Sequence, residues 1–139
     1  MVDSARYAPD GTRSIGRLVG SADVPLVILM VEMATALDDL DALLAVDGLD
    51  GIYVGPGDLS LSLGLSGDEH RGEFREVLSS IIARAVAAGV PVGVHAYSGE
   101  DARAYADEGA TLVTVAVDTV TLGDAMSRHL DLARERGGS

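Results

Sequence analysis

A chain of 139 residues with 47% hydrophobic content is long enough for one domain with a real core and too short to expect two. Its 22 acidic residues against 10 basic ones give a formal charge of -12, which argues against a nucleic-acid surface or an anionic membrane face as the main partner. The sequence has no cysteine, and every basic residue is Arg, so disulfides, thiolate ligands, a cysteine nucleophile and a lysine Schiff base are all excluded.

Residues 1–24 are rich in Gly, Ser, Asp and Arg without a sustained period, and read as an N-terminal loop segment with a short helix near Ser14 to Val19. The stretch MVDSARYAPDGTRS has no apolar signal core, and no run approaches a membrane span of about 18 apolar residues; the expectation is a cytoplasmic protein. Residues 25–139 read as the domain proper. LVILMVE is a continuous apolar run of strand length, the pattern of a parallel strand buried on both faces. A helix follows from Ala34 or Thr35 to about Ala45, with Leu37, Leu40, Leu43 and Leu44 on one face and Asp38, Asp39 and Asp41 near its positive end. GIYVGP is a second strand, whose Gly55-Pro56-Gly57 finish is a backbone break suited to close approach.

A loop from Leu59 to about Asp68 is expected to lead into a helix over roughly 69–88, with Phe74, Val77, Leu78, Ile81, Ile82, Ala85 and Val86 as its core stripe. PVGVHA is a third strand, Gly99 to Glu108 a third helix, and TLVTVAV a fourth strand that stops at Asp118. A final helix spans about Leu122 to Arg136. Strands alternating with helices define an α/β fold with a parallel sheet and right-handed crossovers. Four βα units suit half of a (β/α)8 barrel or a small open doubly wound sheet, and a complete barrel needs about 250 residues.

Glu32 and Asp58 are one strand-helix-strand repeat apart, so on neighbouring strands they leave the same sheet edge about 5 Å apart. Hard divalent ions such as Mg²⁺ are often held by one or two carboxylates, with water and substrate completing the octahedron. The competing reading makes Glu32 a helix cap and Asp58 a turn cap. Gly55 and Gly57 leave backbone N–H groups open to an anion, so a substrate carboxylate beside a metal follows naturally. His95 ends the third strand at the same edge, either satisfied by loop carbonyls or serving as an acid-base group facing the metal. His70 and His129 lie on polar helical stretches and read as solvated. Asp118 reads as the cap of the final helix, and Arg13 is the best cation for a second substrate carboxylate.

At these residues the chain resembles the HpcH/HpaI aldolase and citrate lyase β-chain family. VILMVEMATALDDLDALLAVDGLDGIYVGPGDLSLSLGL is similar to its signature of a strand ending in Glu, a helix, and a strand ending in Gly-Pro-x-Asp-Leu. AGVPVGVHAYSGEDARAYADEGATLVTVAVDT resembles the last two strands of its barrel, and ARYAPDGTRSIG its YPPxGxR segment. The resemblance implies the C-terminal half of a TIM (β/α)8 barrel, with Glu32 and Asp58 as ligands to a divalent metal (Mg, Mn or Co) and the amides at Gly57 and Asp58 holding a keto-acid carboxylate. It implies a carbon-carbon lyase of the aldolase type that works on a 2-keto acid such as pyruvate or oxaloacetate through a pyruvate-like enolate. A Gln often found two residues before the metal Glu is Met30 here. The alternative function is a catalytically silent, truncated member acting as a binding or assembly subunit. Four strands alone expose an interior face and two edges, so the expectation is a homo-oligomer or a pairing with a separate half-barrel protein.

Overall fold

The computed structural model describes residues 25–134. Within them lie β1 (Ile28–Val31), α1 (Ala34–Asp38), α2 (Leu40–Leu44), β2 (Gly51–Val54), α3 (Pro56–Leu63), a 3-10 turn (Asp68–His70), α4 (Arg71–Ala87), β3 (Val92–Ala96), α5 (Gly99–Asp107), β4 (Leu112–Val115) and α6 (Asp118–Arg134). The four strands form one sheet in the order β1-β2-β3-β4. Every pairing is parallel, with Met30 opposite Tyr53, Tyr53 opposite Gly93, and Gly93 opposite Leu112. The expected loop segment 1–24 and its short helix lie outside the described residues.

Because side chains alternate across a strand, this register sorts the sheet into two unlike faces. One face carries Val31, Ile52, Val54, Val92, Val94 and Ala96, each at most 1% exposed. Against it pack Leu40 and Leu44 of α2, Leu59 of α3, Leu78, Ile81, Ile82 and Ala85 of α4, and Tyr105 of α5. Each fully buried aliphatic of this set contributes roughly 1.5–3 kcal/mol over its exposed state. Arg75 joins two of the covering helices, lying 4.5 Å from the Tyr105 ring centroid and ion-paired to Glu108. The other face carries Ile28, Met30, Tyr53, His95, Leu112 and Thr114, with Ile28, Met30 and Leu112 each about half exposed. The reading of β1 as buried on both sides is therefore corrected: the strand is apolar on both sides, but helices cover only one.

Four further expectations are corrected. The helix after β1 is broken at Asp39, whose φ of -100° and ψ of 10° separate α1 from α2. Residues expected to form a loop after Asp58 are instead helix α3, because Pro56 supplies the fixed φ of a first helical position and Gly64 closes the helix in a left-handed conformation, φ 71°. The last helix begins at Asp118 rather than Leu122. Val86, placed in the α4 core stripe, is 49% exposed, because at 3.6 residues per turn it falls at the edge of the stripe formed by Leu78, Ile81, Ile82 and Ala85. Helix α6 has no buried residue, and Leu122, Met126 and Leu130, spaced four apart as an apolar stripe, are all at least 50% exposed. Among the described residues no helix is long and apolar enough to cross a membrane.

Candidate active site

Continuing the register one residue beyond Val31, Val54 and Val94 puts Glu32, Gly55, His95 and Thr114 in one row across the carboxyl end of the open face. Gly55 is the gap in that row. A Cβ built there would lie 3.0 Å from Met30 Cε, 3.4 Å from Glu32 Cβ and 3.7 Å from Glu32 Oε2. The Glu32 side chain thus lies over bare backbone. The turn after Glu32 is tied to α3, since the Ala34 N–H donates to Ser62 Oγ at 2.9 Å.

Gly55 is also the N-cap of α3, with Pro56 at its first position and Asp58 in its first turn. The Leu59 N–H is already used by Gly55 O at 3.0 Å. The N–H groups of Gly57 and Asp58 belong to those a helix leaves without an intrahelical acceptor, at its positive end. Asp58 is exposed. Glu32 and Asp58 therefore sit at the ends of adjacent parallel strands, but Asp58 is carried by a helical turn rather than by the strand itself. Among the described residues neither carboxylate has a hydrogen-bond or ion-pair partner.

His95 is held by the sheet. Its Nδ1 is 2.8 Å from Thr114 Oγ1, and Thr114 Oγ1 is 2.5 Å from the Tyr53 hydroxyl. Tyr53 reaches Thr114 by crossing β3 at Gly93, where a Cβ would come 2.6 Å from Tyr53 Cδ2. The Tyr97 ring meets the His95 ring edge-on at 4.8 Å between centroids. The partner of His95 is thus a threonine hydroxyl, not the loop carbonyls expected in the structural reading of this residue. Past β4 the chain turns at Ala116, whose φ of 67° costs an alanine about 1–2 kcal/mol.

Of the residues singled out from the sequence, Glu32, Gly55, Gly57, Asp58 and His95 share this edge, while Arg13 lies outside the described residues. Asp118 is the first residue of α6, its Oδ1 accepting from the Thr119 N–H at 2.7 Å. His70 makes a 3.6 Å pair with Glu73 on the surface, and His129 is exposed. Sequence reasoning missed Tyr53, Thr114 and Tyr97. The period-two alternation from His95 through Tyr97 and from Leu112 to Thr114 was the available signal. Among the described residues no group of three or more His, Asp or Glu side chains could enclose a metal. The donor set is the Glu32 carboxylate over Gly55 and the Asp58 carboxylate in the first turn of α3, which fits a hard cation that leaves most of its octahedron to water and substrate. A recess of about 300 Å³ beside Glu32 includes Met30, Met33 and Asp39. A larger cleft of about 880 Å³ is lined by Gly57, Ser60, Arg71, Phe74, Tyr97 and Tyr105.

A parallel four-stranded sheet, covered by helices on one face and carrying its polar residues at the strands' carboxyl ends, is half of a (β/α)8 barrel. The sequence matches the family model of HpcH/HpaI aldolase/citrate lyase over residues 1–125, and the chain belongs to that family. It is 33% identical to a hydroxypyruvate/pyruvate aldolase of Roseovarius nubinhibens over 94% of this chain and 56% of that protein. It is 36% identical to a 2-keto-3-deoxy-L-rhamnonate aldolase of Klebsiella pneumoniae over 94% of this chain and 54% of that one. The chain spans about half the length of the curated relatives it matches. Among solved structures, an HpcH/HpaI aldolase from Desulfitobacterium hafniense shares the fold with a TM-score of 0.81 at 23% identity, over 99% of this chain and 59% of that chain. A family protein from Burkholderia cenocepacia gives 0.77 at 29% identity, over 96% and 59%.

Proposed function

We propose that this chain carries the metal and keto-acid half of an aldolase-type carbon-carbon lyase. The observation that supports this reading most is the row Glu32, Gly55, His95 with the α3 amides beside it, a carboxylate, helix-terminal N–H groups and an imidazole at one sheet edge. Glu32 and Asp58 would hold a divalent ion (Mg, Mn or Co), which when bound supplies Lewis-acid polarisation of a keto carbonyl. The Gly57 and Asp58 N–H groups take the carboxylate of pyruvate or oxaloacetate. Cleavage of a 2-keto-4-hydroxy acid breaks the bond between C3 and C4. The 4-hydroxyl loses its proton, an aldehyde leaves, and the bonding pair passes into the pyruvate-like enolate. His95 is the proton carrier for this step, oriented by Thr114, and Arg13 contacts a second substrate carboxylate. The working compartment on this reading is the cytoplasm.

Titration of the chain with Mn²⁺ should show one site that the Glu32→Gln, Asp58→Asn double variant lacks. With metal present, the methyl protons of pyruvate should exchange with deuterated water, and His95→Asn should remove that exchange while leaving metal affinity unchanged. An unaltered titration in the double variant overturns the metal site. The open sheet face favours a second reading, a catalytically silent binding or assembly subunit, which wins if pyruvate binds without exchange. On either reading the open face and the apolar stripe of α6 favour a homo-oligomer over a partnership with a separate half-barrel protein. Light scattering coupled to size exclusion should return at least twice the 14.3 kDa chain mass; a stable monomer overturns self-association.

A further inference from the structure

We propose that Tyr97 is a third donor to the substrate carboxylate and sets the affinity of the site for keto acids. The inference rests on the reading that the Gly57 and Asp58 amides take that carboxylate. Tyr97 is the first residue past β3, and its side chain reaches both the His95 ring and the start of α3. Edge-on packing against His95, 4.8 Å between centroids at 77°, orients the Tyr97 ring. Its hydroxyl comes to rest 3.1 Å from where a Cβ at Gly57 would stand. That puts the phenolic oxygen within about 5 Å of the Gly57 backbone.

Among the described residues this hydroxyl has no hydrogen-bond partner, and the residue that carries it is 62% exposed, so the hydroxyl is reachable by a ligand. A phenol O–H at that point converges with two helix-terminal N–H groups, and an anion bound between them would accept all three. Gly57 is the position that allows the approach, since among the described residues outside its own helical turn the Tyr97 hydroxyl is the one atom a Cβ there would meet within 4 Å. Tyr97 also stands at the mouth of the larger cleft, which Gly57 lines with it. A carboxylate held at Tyr97 would therefore leave the rest of a longer substrate free to run into that cleft. The His95 contact and the Gly57 contact come from opposite ends of one side chain, so the ring's position and the hydroxyl's chemistry can be tested separately.

The test is pyruvate binding to the full chain in saturating Mn²⁺, measured by calorimetry, for the unsubstituted protein, Tyr97→Phe, Gly57→Ala and the double variant. Tyr97→Phe keeps the ring against His95 and removes only the oxygen; it should weaken pyruvate about tenfold, the loss of one charge-assisted hydrogen bond, with Mn²⁺ affinity unchanged. Gly57→Ala should weaken pyruvate in the native background by displacing the hydroxyl. It should cost far less in the Tyr97→Phe background, where no oxygen is left to displace, a non-additivity that a merely structural tyrosine would not produce. Equal pyruvate affinity in Tyr97→Phe overturns the inference and leaves the amide site standing. If the unsubstituted chain binds Mn²⁺ but no pyruvate, the carboxylate site itself is wrong and this inference falls with it.

Discussion

The two faces of this sheet are built from the same four strands and do opposite work. On the covered face the rows are aliphatic, the six positions Val31, Ile52, Val54, Val92, Val94 and Ala96 are dry, and the packing against α2, α4 and α5 holds the domain together. On the open face Met30 and Leu112 share rows with Tyr53 and Gly93, His95 and Thr114 share the next, and among the described residues no helix lies above them. Stability depends on filled volume, whereas a site needs polar groups that remain reachable, and period-two alternation lets one strand serve both. Gly55 and Gly93 show the division within single strands. Their neighbours Val54 and Val94 fill the core, while the absent side chains on the other face leave room for Glu32 and for the Tyr53 ring.

Truncating one residue on each face is the most demanding test of this division. Ile82→Ala, in the covered core at 0% exposure, should lose about 2–5 kcal/mol of stability. Met30→Ala, half exposed over Gly55, should lose less than about 1 kcal/mol. Urea denaturation of both variants, at concentrations low enough to dissociate an oligomer, checks the contrast, and equal losses there would mean that the chain itself covers the open face. Gly93→Ala should cost roughly 1–3 kcal/mol by overpacking, since its Cβ would collide with the Tyr53 ring at 2.6 Å. A partial recovery of the denaturation midpoint in Gly93→Ala, Tyr53→Leu would locate that cost in the ring.

Thr114→Val should shift stability by no more than about 1 kcal/mol and yet reduce metal-dependent pyruvate exchange, because it removes the oxygen shared by His95 and Tyr53. A normal exchange rate would return the network to a purely structural role. The smallest effect belongs to the covered face. Burial, and then the nearby Asp101 carboxylate, raise the Tyr105 phenol above its ordinary value of 10.0. The unfolded chain therefore releases that proton first as pH rises, so this contribution is intact at neutral pH and declines as pH climbs from about 10 through the raised value. Stability measured across that range should fall less in Tyr105→Phe.

Local pattern alone was enough to lay out the plan of the chain: four apolar runs, the helices between them, and two acidic residues one βα unit apart. These are matters of period and spacing, and Leu40, Leu44, Leu78, Ile81, Ile82 and Ala85 were all legible as helix faces turned to a sheet. The missed helix α3 is a case where a Gly-Pro-Gly turn signal concealed a helix start, since proline at a first helical position and proline in a loop look alike without the following backbone. Which side of each strand is dry was settled by long-range packing, because an alternating strand and a doubly buried one are equally apolar when Met30 and Leu112 occupy the open face. Packing also settled the site's inner contacts. Tyr53 touching Thr114 joins residues 61 positions apart, and Tyr97 meeting Gly57 crosses from one strand's end to another helix's start. Neither contact leaves a local periodic trace, since both depend on parallel register and on glycines whose missing side chains are visible only once neighbouring strands are in place.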